Sequence, residues 1–399
     1  MTAATLQPID PSSLRHILEQ HALFKAQKAG GRLANLSYID LTEMKLEGID
    51  LSDAILTGAR LYGASLRDAI FIRANLFGAD LRNADLRFAR LDRADLRGAC
   101  LRGANLSAAS LIGADLREGQ IAFKDDKQGY RLMKHERRPG ELDYAILSGA
   151  DLSGAKMTGA MAISTDFSDA NLSGAVMSQA KLRKANLNGA MMNGADLSGA
   201  DVTGASMRGA IMVDATTGGC NLKEADTADL LSAPVSVFID DLPLSELVGQ
   251  HEHWCRTGGA AGGRQSLNGI DFRALGDLKK RLLSTLDASE SVFFGLDMSG
   301  IGLQGANLVN ADLRRCNLKG ADLRGAKLQG AKMTHAQLEG AKLGPLDLGG
   351  GRMIRTDLTG ANLSHANLNN ADLTRARMLA IVSEHMTDSG ANYTLVERE

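Results

Sequence analysis

Large apolar residues recur every five positions along most of the chain, and this period constrains the fold more than any other feature. Between Phe71 and Leu91 they stand at 71, 76, 81, 86 and 91, and an alanine precedes each by two positions. On a helix such leucines would scatter around the axis, and on a flat strand they would alternate between its faces. The period therefore favours an extended chain that turns a corner every five residues, with leucines stacked inside a solenoid.

Glycine often stands two positions after the inward leucine, where a tight corner favours it, as at Gly58, Gly78 and Gly98. The repeated run A-(D/N)-L-x-x, which covers most of the chain, resembles the pentapeptide-repeat family. This resemblance implies an all-β solenoid, specifically a right-handed quadrilateral β-helix with four pentapeptides in each coil. The period by itself does not give the number of sides.

The period breaks in three places, and these breaks divide the chain. The expected organisation is an N-terminal helix and link (1–32), a first β-helix (33–227) with a loop insertion (122–141), a helical cap or linker (228–290), a second β-helix (291–380) and a C-terminal tail (381–399). Coils are predicted at about 33–121, 142–227 and 291–378, and helices near 12–26, 243–256 and 274–287. The third helix is inferred from the spacing of Leu275, Leu278, Leu282 and Leu286, and helical spacing from Met378 to His385 suggests that the tail covers the last coil.

Two of the predicted helices look like copies of each other. Each has one apolar face that includes a histidine, formed by Leu14, Ile17, Leu18 and His21 in the first copy and by Leu244, Leu247, Val248 and His251 in the second. Both copies contain Gln-His and then reach Gly-Gly-Arg before the leucines resume. We infer an internal duplication of a helix-plus-coil unit, in which each helix caps a coil end that would otherwise expose strand edges.

The second copy raises the question of a metal site, because His251, His253 and Cys255 lie within five residues. His251 and Cys255 are four positions apart on one face, which would make half a zinc site. The first copy, however, has Lys25 four positions after His21, and no second cluster offers the remaining ligands. We therefore predict a packed, hydrogen-bonded histidine in each capping helix, His21 and His251, and no structural metal.

Charged residues form a second recurring motif, Asp-Leu-Arg, at 80–82, 85–87, 95–97, 115–117, 312–314 and 322–324. Because Asp and Arg flank an inward leucine, both should point outward, either as a solvated surface or as a patterned docking wall. The predicted core includes Leu76, Leu81, Leu86, Leu96, Leu101, Leu313, Leu318 and Leu323. Cys220 and Cys316 take alanine positions and should be buried, whereas Cys100 should face outward and is given no role.

The insertion at 122–141 lacks the period and is expected to protrude as a loop or short hairpin. Loops on a rigid scaffold commonly carry binding residues. The candidate partner-binding residues are Tyr130, Arg131, Lys134, Arg137 and Arg138.

Composition narrows the function classes. With 45 basic and 47 acidic residues, the chain is not expected to bind nucleic acid directly. Four dispersed cysteines favour free thiols, and without a signal sequence or an apolar run of about 18 residues we expect a cytoplasmic protein. No motif for catalysis, phosphate binding or a cofactor is present, so an enzyme has no positive support.

The favoured function is a noncatalytic scaffold for an unidentified partner protein. The alternative implied by the resemblance is a DNA-mimicking ligand of a type II topoisomerase, either inhibiting or protecting gyrase. Such a mimic needs a clearly acidic face. The coils hold 11 basic and 12 acidic residues in 36–121, 6 and 9 in 142–227, and 11 and 7 in 293–378, so only the middle stretch is moderately acidic. A coil end also offers a surface through which two copies could form a homodimer.

Overall fold

The structure is a computed structural model that describes residues 6–125 and 129–398, with the side chains of 120–138 left out. Parallel bridges join residues on each side of a coil to residues 20 positions later, as at Asn35–Ile55 and Asp40–Arg60. Because a bridge begins every five residues, each coil has four sides, which agrees with a quadrilateral β-helix. Backbone hydrogen bonds run in both directions between coils; the Asn75 amide, for example, donates to Ala54 O at 2.9 Å.

The core follows from the alternation within each five-residue side. Leucine at the centre and alanine two positions earlier both point inward, and the residue two positions after the leucine turns the corner with a left-handed backbone. Gly58 occupies such a corner with φ 60°, and Asn83 occupies another with φ 57°. All eight leucines named above as core residues have 0% exposure. Burial of each contributes about 1.5–3 kcal/mol, so adjacent coils stabilise each other layer by layer.

The chain separates into two compact units, Met1–Ala233 (unit 1) and Pro234–Glu399 (unit 2). The elements of unit 1 are β1 (Gln7–Pro8), α1 (Pro11–Lys25), β2 (Ile39–Asp40), β3 (Gly119–Asp125), β4 (Gly129–Arg138) and a 3-10 turn at Leu222–Glu224. Those of unit 2 are β5 (Phe238–Ile239), β6 (Leu242–Pro243), α2 (Leu244–Arg256), a 3-10 turn at Phe272–Leu275, β7 (Leu346–Asp347) and β8 (Met353–Ile354). Among the described residues, no helix has the length and apolar content needed to cross a membrane.

Helices α1 and α2 lie where the sequence predicts helices near 12–26 and 243–256. Asp10 begins α1 as its N-cap, because its carboxylate accepts the amides of Ser12 and Ser13 at 3.0 and 2.9 Å. Leu14 of α1 is buried in the same cluster as the leucines of the first coils. Leu244 and Val248 of α2 are buried in the corresponding cluster of unit 2.

The predicted helix at 274–287 is wrong, and so is the assignment of the whole segment 228–290 to a helical linker. The coils of unit 2 begin at Ser266, and Leu278 and Leu283 occupy inward positions. Their amides donate to Asp297 O and Gly302 O at 2.8 and 2.7 Å in the next coil. The leucines in this segment fit both the four-residue spacing of a helix and the five-residue spacing of a coil. The hydrogen bonds to the next coil show that the segment belongs to the solenoid.

The predicted tail at 381–399 is also incorrect, because the coils continue to a bridge between Arg377 and Glu397. The positions that correspond to inward leucines hold Ser383, Asp388 and Tyr393 in this last coil, so the leucine pattern ends there. The Tyr393 hydroxyl donates to Asp388 Oδ2 at 2.7 Å, which satisfies two polar groups where other coils have leucines.

A second insertion, which the sequence analysis missed, carries the antiparallel hairpin β7–β8. It lengthens one coil so that Lys327 pairs with Asp357 instead of a residue 20 positions later. Thr356, which is fully buried, holds the base of the hairpin: its Oγ1 accepts the Gly325 amide at 2.9 Å and lies 2.9 Å from Gly344 O.

Candidate functional site

The β3–β4 hairpin is the larger departure from the coil pattern in unit 1. It leaves after Glu118 and returns at Gly140, and the coils continue around it because Cys100 pairs with Glu141. Both ends of the hairpin need glycine for close approach. A Cβ at Gly119 would lie 2.9 Å from the Arg97 carbonyl, and one at Gly140 would lie 2.1 Å from Leu116 O. The backbone therefore passes close to the wall at both ends of the insertion.

The two strands pair in antiparallel register from Gly119–Arg138 to Asp125–Gly129, with an irregularity between Gln120 and Ala122. The predicted hairpin form of the insertion is thus observed. The candidate residues Tyr130, Arg131, Lys134, Arg137 and Arg138 all belong to β4, and their side chains lie outside the described part of the structure.

Apolar side chains cluster on the coils that follow the hairpin, and we call Tyr144, Ile146, Met161 and Ile163 the Tyr144 patch. Tyr144 and Ile146 are 57% and 40% exposed, and Met161 and Ile163 are partly exposed. The Tyr144 amide donates to Ile163 O at 3.1 Å, so the patch spans adjacent coils. The sequence analysis missed it, although a tyrosine at a corner position usually held by glycine was an available signal.

One arginine borders this patch. The Arg102 guanidinium lies 5.7 Å from the centre of the Tyr144 ring, in cation–π geometry. Its Nη2 is 3.8 Å from Asp143 Oδ2, a long ion pair with little restraint. Arg102 is exposed, so a ligand that covers the Tyr144 ring would also meet a positive charge.

The Asp-Leu-Arg motifs form closed pairs. In each of the six, the arginine donates Nε and Nη2 to the two carboxylate oxygens of its own aspartate, as Arg87 does to Asp85 at 2.8 and 2.6 Å. The hydrogen bond from Arg87 holds the pKa of Asp85 below its usual value. Neighbouring coils add aromatic contacts, and the Arg82 guanidinium lies 5.6 Å from the Tyr62 ring centre. Each motif therefore neutralises its own charge, and the six motifs do not form a row of unpaired positive or negative side chains.

The cluster at His251, His253 and Cys255 does not bring its three side chains together. His251 is fully buried; its Nδ1 accepts the Gln265 amide at 3.0 Å, and its Nε2 lies 3.1 Å from Ser284 O. Both ring nitrogens therefore have backbone partners, and burial lowers the pKa of this histidine. His253 is exposed. In the part of the chain that the structure describes, no three His, Cys, Asp or Glu side chains group as a metal site.

His21 in α1 repeats this arrangement at Nδ1 only, because its buried Nε2 has no hydrogen-bond partner. It is 1% exposed, and its Nδ1 accepts the Ala34 amide at 3.2 Å, across a glycine link like the one that follows α2. Burial lowers the pKa of His21 as well. Each histidine thus ties its helix to the chain segment that enters the first coil of its unit, which agrees with the duplication inferred from the sequence.

The four cysteines are unpaired thiols. Cys316 is buried as expected, and its Sγ lies 3.0 Å from Phe293 O. Cys220 is only partly buried. Cys100 is half-buried instead of facing fully outward, with Sγ 3.1 Å from Glu141 Oε2, and burial raises its pKa to about 11.

Three histidines that sequence reasoning did not connect stack on one corner of unit 2. The rings of His335 and His365 have centroids 4.7 Å apart, and those of His365 and His385 are 5.0 Å apart. The signal was present, because His365 and His385 are one coil apart and both follow an inward position by two. The β7–β8 insertion between His335 and His365 hid the first interval.

Comparisons with known proteins agree with this architecture. The sequence pattern of pentapeptide repeats matches residues 34–71, 69–107, 99–118, 141–174, 170–209, 288–344 and 347–378, together more than half of the chain. A comparison with curated proteins gives no match.

Several solved structures are similar to parts of the chain. HetL, a pentapeptide repeat protein involved in heterocyst differentiation regulation in Nostoc sp. strain PCC 7120, is 34% identical; the match covers 50% of this chain and 77% of HetL, with a TM-score of 0.31. Rfr23 from Cyanothece 51142 is 24% identical over 34% of this chain and 89% of its own, with a TM-score of 0.25. QnrB1, a plasmid-mediated fluoroquinolone resistance protein, is 19% identical over 48% and 90%, with a TM-score of 0.27.

The match to the repeat pattern covers both units and agrees with coils of four five-residue sides. The chain belongs to the pentapeptide repeat family.

Proposed function

We propose that this protein is a noncatalytic scaffold that binds a partner protein through the β3–β4 hairpin and the adjoining Tyr144 patch. The observation that carries the proposal is the exposure of Tyr144 and Ile146 beside a hairpin anchored to an otherwise regular wall. Aromatic residues, methionine and arginine are enriched at protein interfaces. The Tyr144 patch combines the first two with an exposed Arg102 at its border.

The sequence of the hairpin suggests the chemistry of the partner. The sequence of β4 contains four basic residues, and Arg102 adds an exposed positive charge, so we expect a partner whose contact surface has an apolar centre and an acidic rim. Charges at the rim of an interface mainly raise the association rate and make it depend on salt. Binding should therefore weaken as ionic strength increases.

The thiols support a noncatalytic function. They would be the strongest nucleophiles of the chain, but burial raises the pKa of Cys100, Cys220, Cys255 and Cys316. A thiol is nucleophilic as the thiolate, so these four are poorly suited to covalent catalysis. Unpaired thiols also agree with the reducing cytoplasm that we propose as the location.

The test is a deletion that restores the coil register. Because Cys100 pairs with Glu141 instead of residue 120, removing the 21 residues 119–139 would place Gly140 and Leu142 in the positions of a regular repeat. We expect this variant to keep the thermal stability of the wild type and to lose its partner. Unfolding of the variant, or unchanged partner binding, would contradict the proposal.

A photo-crosslinking residue at position 144 identifies what touches the patch. The matched control carries it at Arg93, an exposed corner position on another side of unit 1. We expect a protein adduct at position 144 that excess wild-type protein prevents and that does not form at position 93. Adducts that are the same at both positions would show nonspecific contact.

The alternative, a DNA mimic for a type II topoisomerase, has less physical support. The aspartates at 80, 85, 95 and 115 are each neutralised by an arginine two positions later. A supercoiling assay with purified gyrase distinguishes the two functions, because the scaffold proposal expects no change in gyrase activity. Pairing of two copies through a coil end stays a prediction, to be tested by light scattering.

A further inference from the structure

The stacked histidines occupy the same corner in three successive coils of unit 2. Lys332, Asn362 and Val382, each three positions before one of the histidines, pair in parallel from coil to coil, which brings the rings into register. All three histidines have left-handed backbones, with φ between 56° and 60°. The planes of His335 and His365 differ by 8°, and those of His365 and His385 by 29°. The register between coils therefore holds the three rings face to face.

The surroundings of the stack disfavour added positive charge. Arg315 occupies the same corner one coil before His335, and Lys332 is an exposed cation on the wall of the His335 coil. Glu384 next to His385 is the nearest acidic residue in sequence, and the neighbouring Arg314 and Asp312 neutralise each other. On the adjoining side, the residues that follow each histidine by two are the uncharged Gln337, Asn367 and Thr387.

Burial and the neighbouring basic residues act in the same direction on His335 and His365, and Glu384 opposes them at His365. His335 Nε2 is buried without a hydrogen-bond partner. Burial, with further contributions from Arg315 and His365, lowers the pKa of His335 to about 3. Burial and His385 lower the pKa of His365. Parallel rings also direct their nitrogen lone pairs into parallel planes, so one metal ion cannot lie on the lone pairs of two of them.

We propose that the histidine stack makes the C-terminal coils of unit 2 an acid-sensitive segment. Protonation of His335 and His365 opens the coils at 357–397, while the coils before Lys327 stay closed. The opening is local because each coil of a solenoid contacts only its neighbours. Acid would then expose the inward leucines at 358, 363, 368 and 373, which are buried in the closed coils.

The number of protons bound by the closed and open states determines how the stability of these coils changes with pH. An unfolded histidine has a pKa of about 6.5. Because the folded values of His335 and His365 are lower, the open state binds more protons below that pH, and stability falls as pH decreases. For His335 this window extends from about 6.5 down to about 3. Each group titrating in the window decreases the closing constant about tenfold per pH unit.

Hydrogen exchange measured by mass spectrometry at pH 7.0 and 5.0 tests the proposal, after correction for the intrinsic exchange rate. We expect opening in 357–397 to rise at least tenfold at the lower pH, with little change in 297–327. The matched variant replaces all three histidines by asparagine, which does not titrate and already occupies a left-handed corner at Asn370, with φ 57°. This variant should lose the pH difference.

Two single variants keep the test informative if the triple variant is unstable. His365→Asn removes the central ring and should decrease the pH effect several-fold. Glu384 stabilises protonated His365 in the closed coils. Glu384→Gln removes this charge and lowers the pKa of His365 in the closed state further, so opening should occur at a higher pH. A wild type without pH-dependent opening in 357–397, or variants with the same pH response as the wild type, would overturn the proposal.

Discussion

Arg314 donates Nε and Nη2 to the two carboxylate oxygens of Asp312 at 2.8 and 2.6 Å, and both side chains are less than a tenth exposed. The same motif at Asp80 and Arg82 has nearly the same distances but leaves the arginine 45% exposed. The two pairs have nearly the same geometry but differ in burial. Comparing them therefore separates the effect of solvent exposure on stability from the effect of the ion pair itself.

Arg314→Gln should destabilise unit 2 by about 3–5 kcal/mol, because it leaves the buried Asp312 carboxylate without its partner. Arg82→Gln is the matched control and should cost about 1 kcal/mol or less, because water replaces an exposed partner. Urea unfolding of both variants measures the difference. Equal losses of stability would show that burial of the pair is energetically unimportant.

Leu86→Asp should destabilise the coils of unit 1 by at least about 3 kcal/mol. Leu86 is fully buried, and a carboxylate at that position would have no partner in the core. Arg87→Gln changes the next residue, which faces outward, and should be tolerated. Thermal unfolding followed by circular dichroism gives the comparison, and similar melting temperatures would contradict the inward assignment.

His251→Ala should destabilise unit 2 by about 1–3 kcal/mol, because the Gln265 amide and Ser284 carbonyl lose their partner. The exposed His253→Ala should have little effect. We also expect no zinc in the purified wild type by mass spectrometry of metals. Stoichiometric zinc that disappears in the His251 variant would show that a metal, and not hydrogen bonding, holds the helix.

Cys100 should react slowly with iodoacetamide at pH 8, because with a pKa of about 11 only about 0.1% is thiolate. The reaction should accelerate as pH rises towards 11. Glu141→Gln removes a negative charge 3.1 Å from the sulfur and should shift this profile to lower pH. Rapid labelling of Cys100 at pH 8 would be inconsistent with a raised pKa.

Removing the β7–β8 hairpin should leave unit 2 folded. Deleting 345–354 brings Leu358 five positions after Leu343 and restores the regular pairing that Lys327–Asp357 now interrupts. The expected change in melting temperature is a few degrees at most, since loop length has only a weak effect on closure. A large decrease would show that packing of Leu346 and Ile354 against the coil is needed for stability.

The sequence predicts the solenoid well because the five-residue period reports directly on which side chains point inward. It fails where another pattern satisfies the same residues. Leu278 and Leu282 have the spacing of a helix, whereas Leu278 and Leu283 have the spacing of a coil, and only the hydrogen bonds between coils distinguish the two. At the last coil, Asp388 and Tyr393 replace the leucines and remove the signal.

The candidate site was predicted only in part, for a related reason. The insertion is visible as a break in the period, but the Tyr144 patch depends on which outward residues become neighbours across coils. Likewise, His335 and His365 meet because the β7–β8 hairpin occupies the ten extra residues between regular coils. When the length of an insertion is not known, a search at a fixed interval of 20 residues does not find such contacts.

The repeated pairing between coils has a mechanical consequence. Because each coil is held to the next by a nearly identical set of backbone hydrogen bonds, a unit stretched from its ends should unravel one coil at a time at nearly constant force. Each regular coil would release about 65 Å of chain. The two coils that carry hairpins would release longer segments and so mark their positions in a force–extension trace.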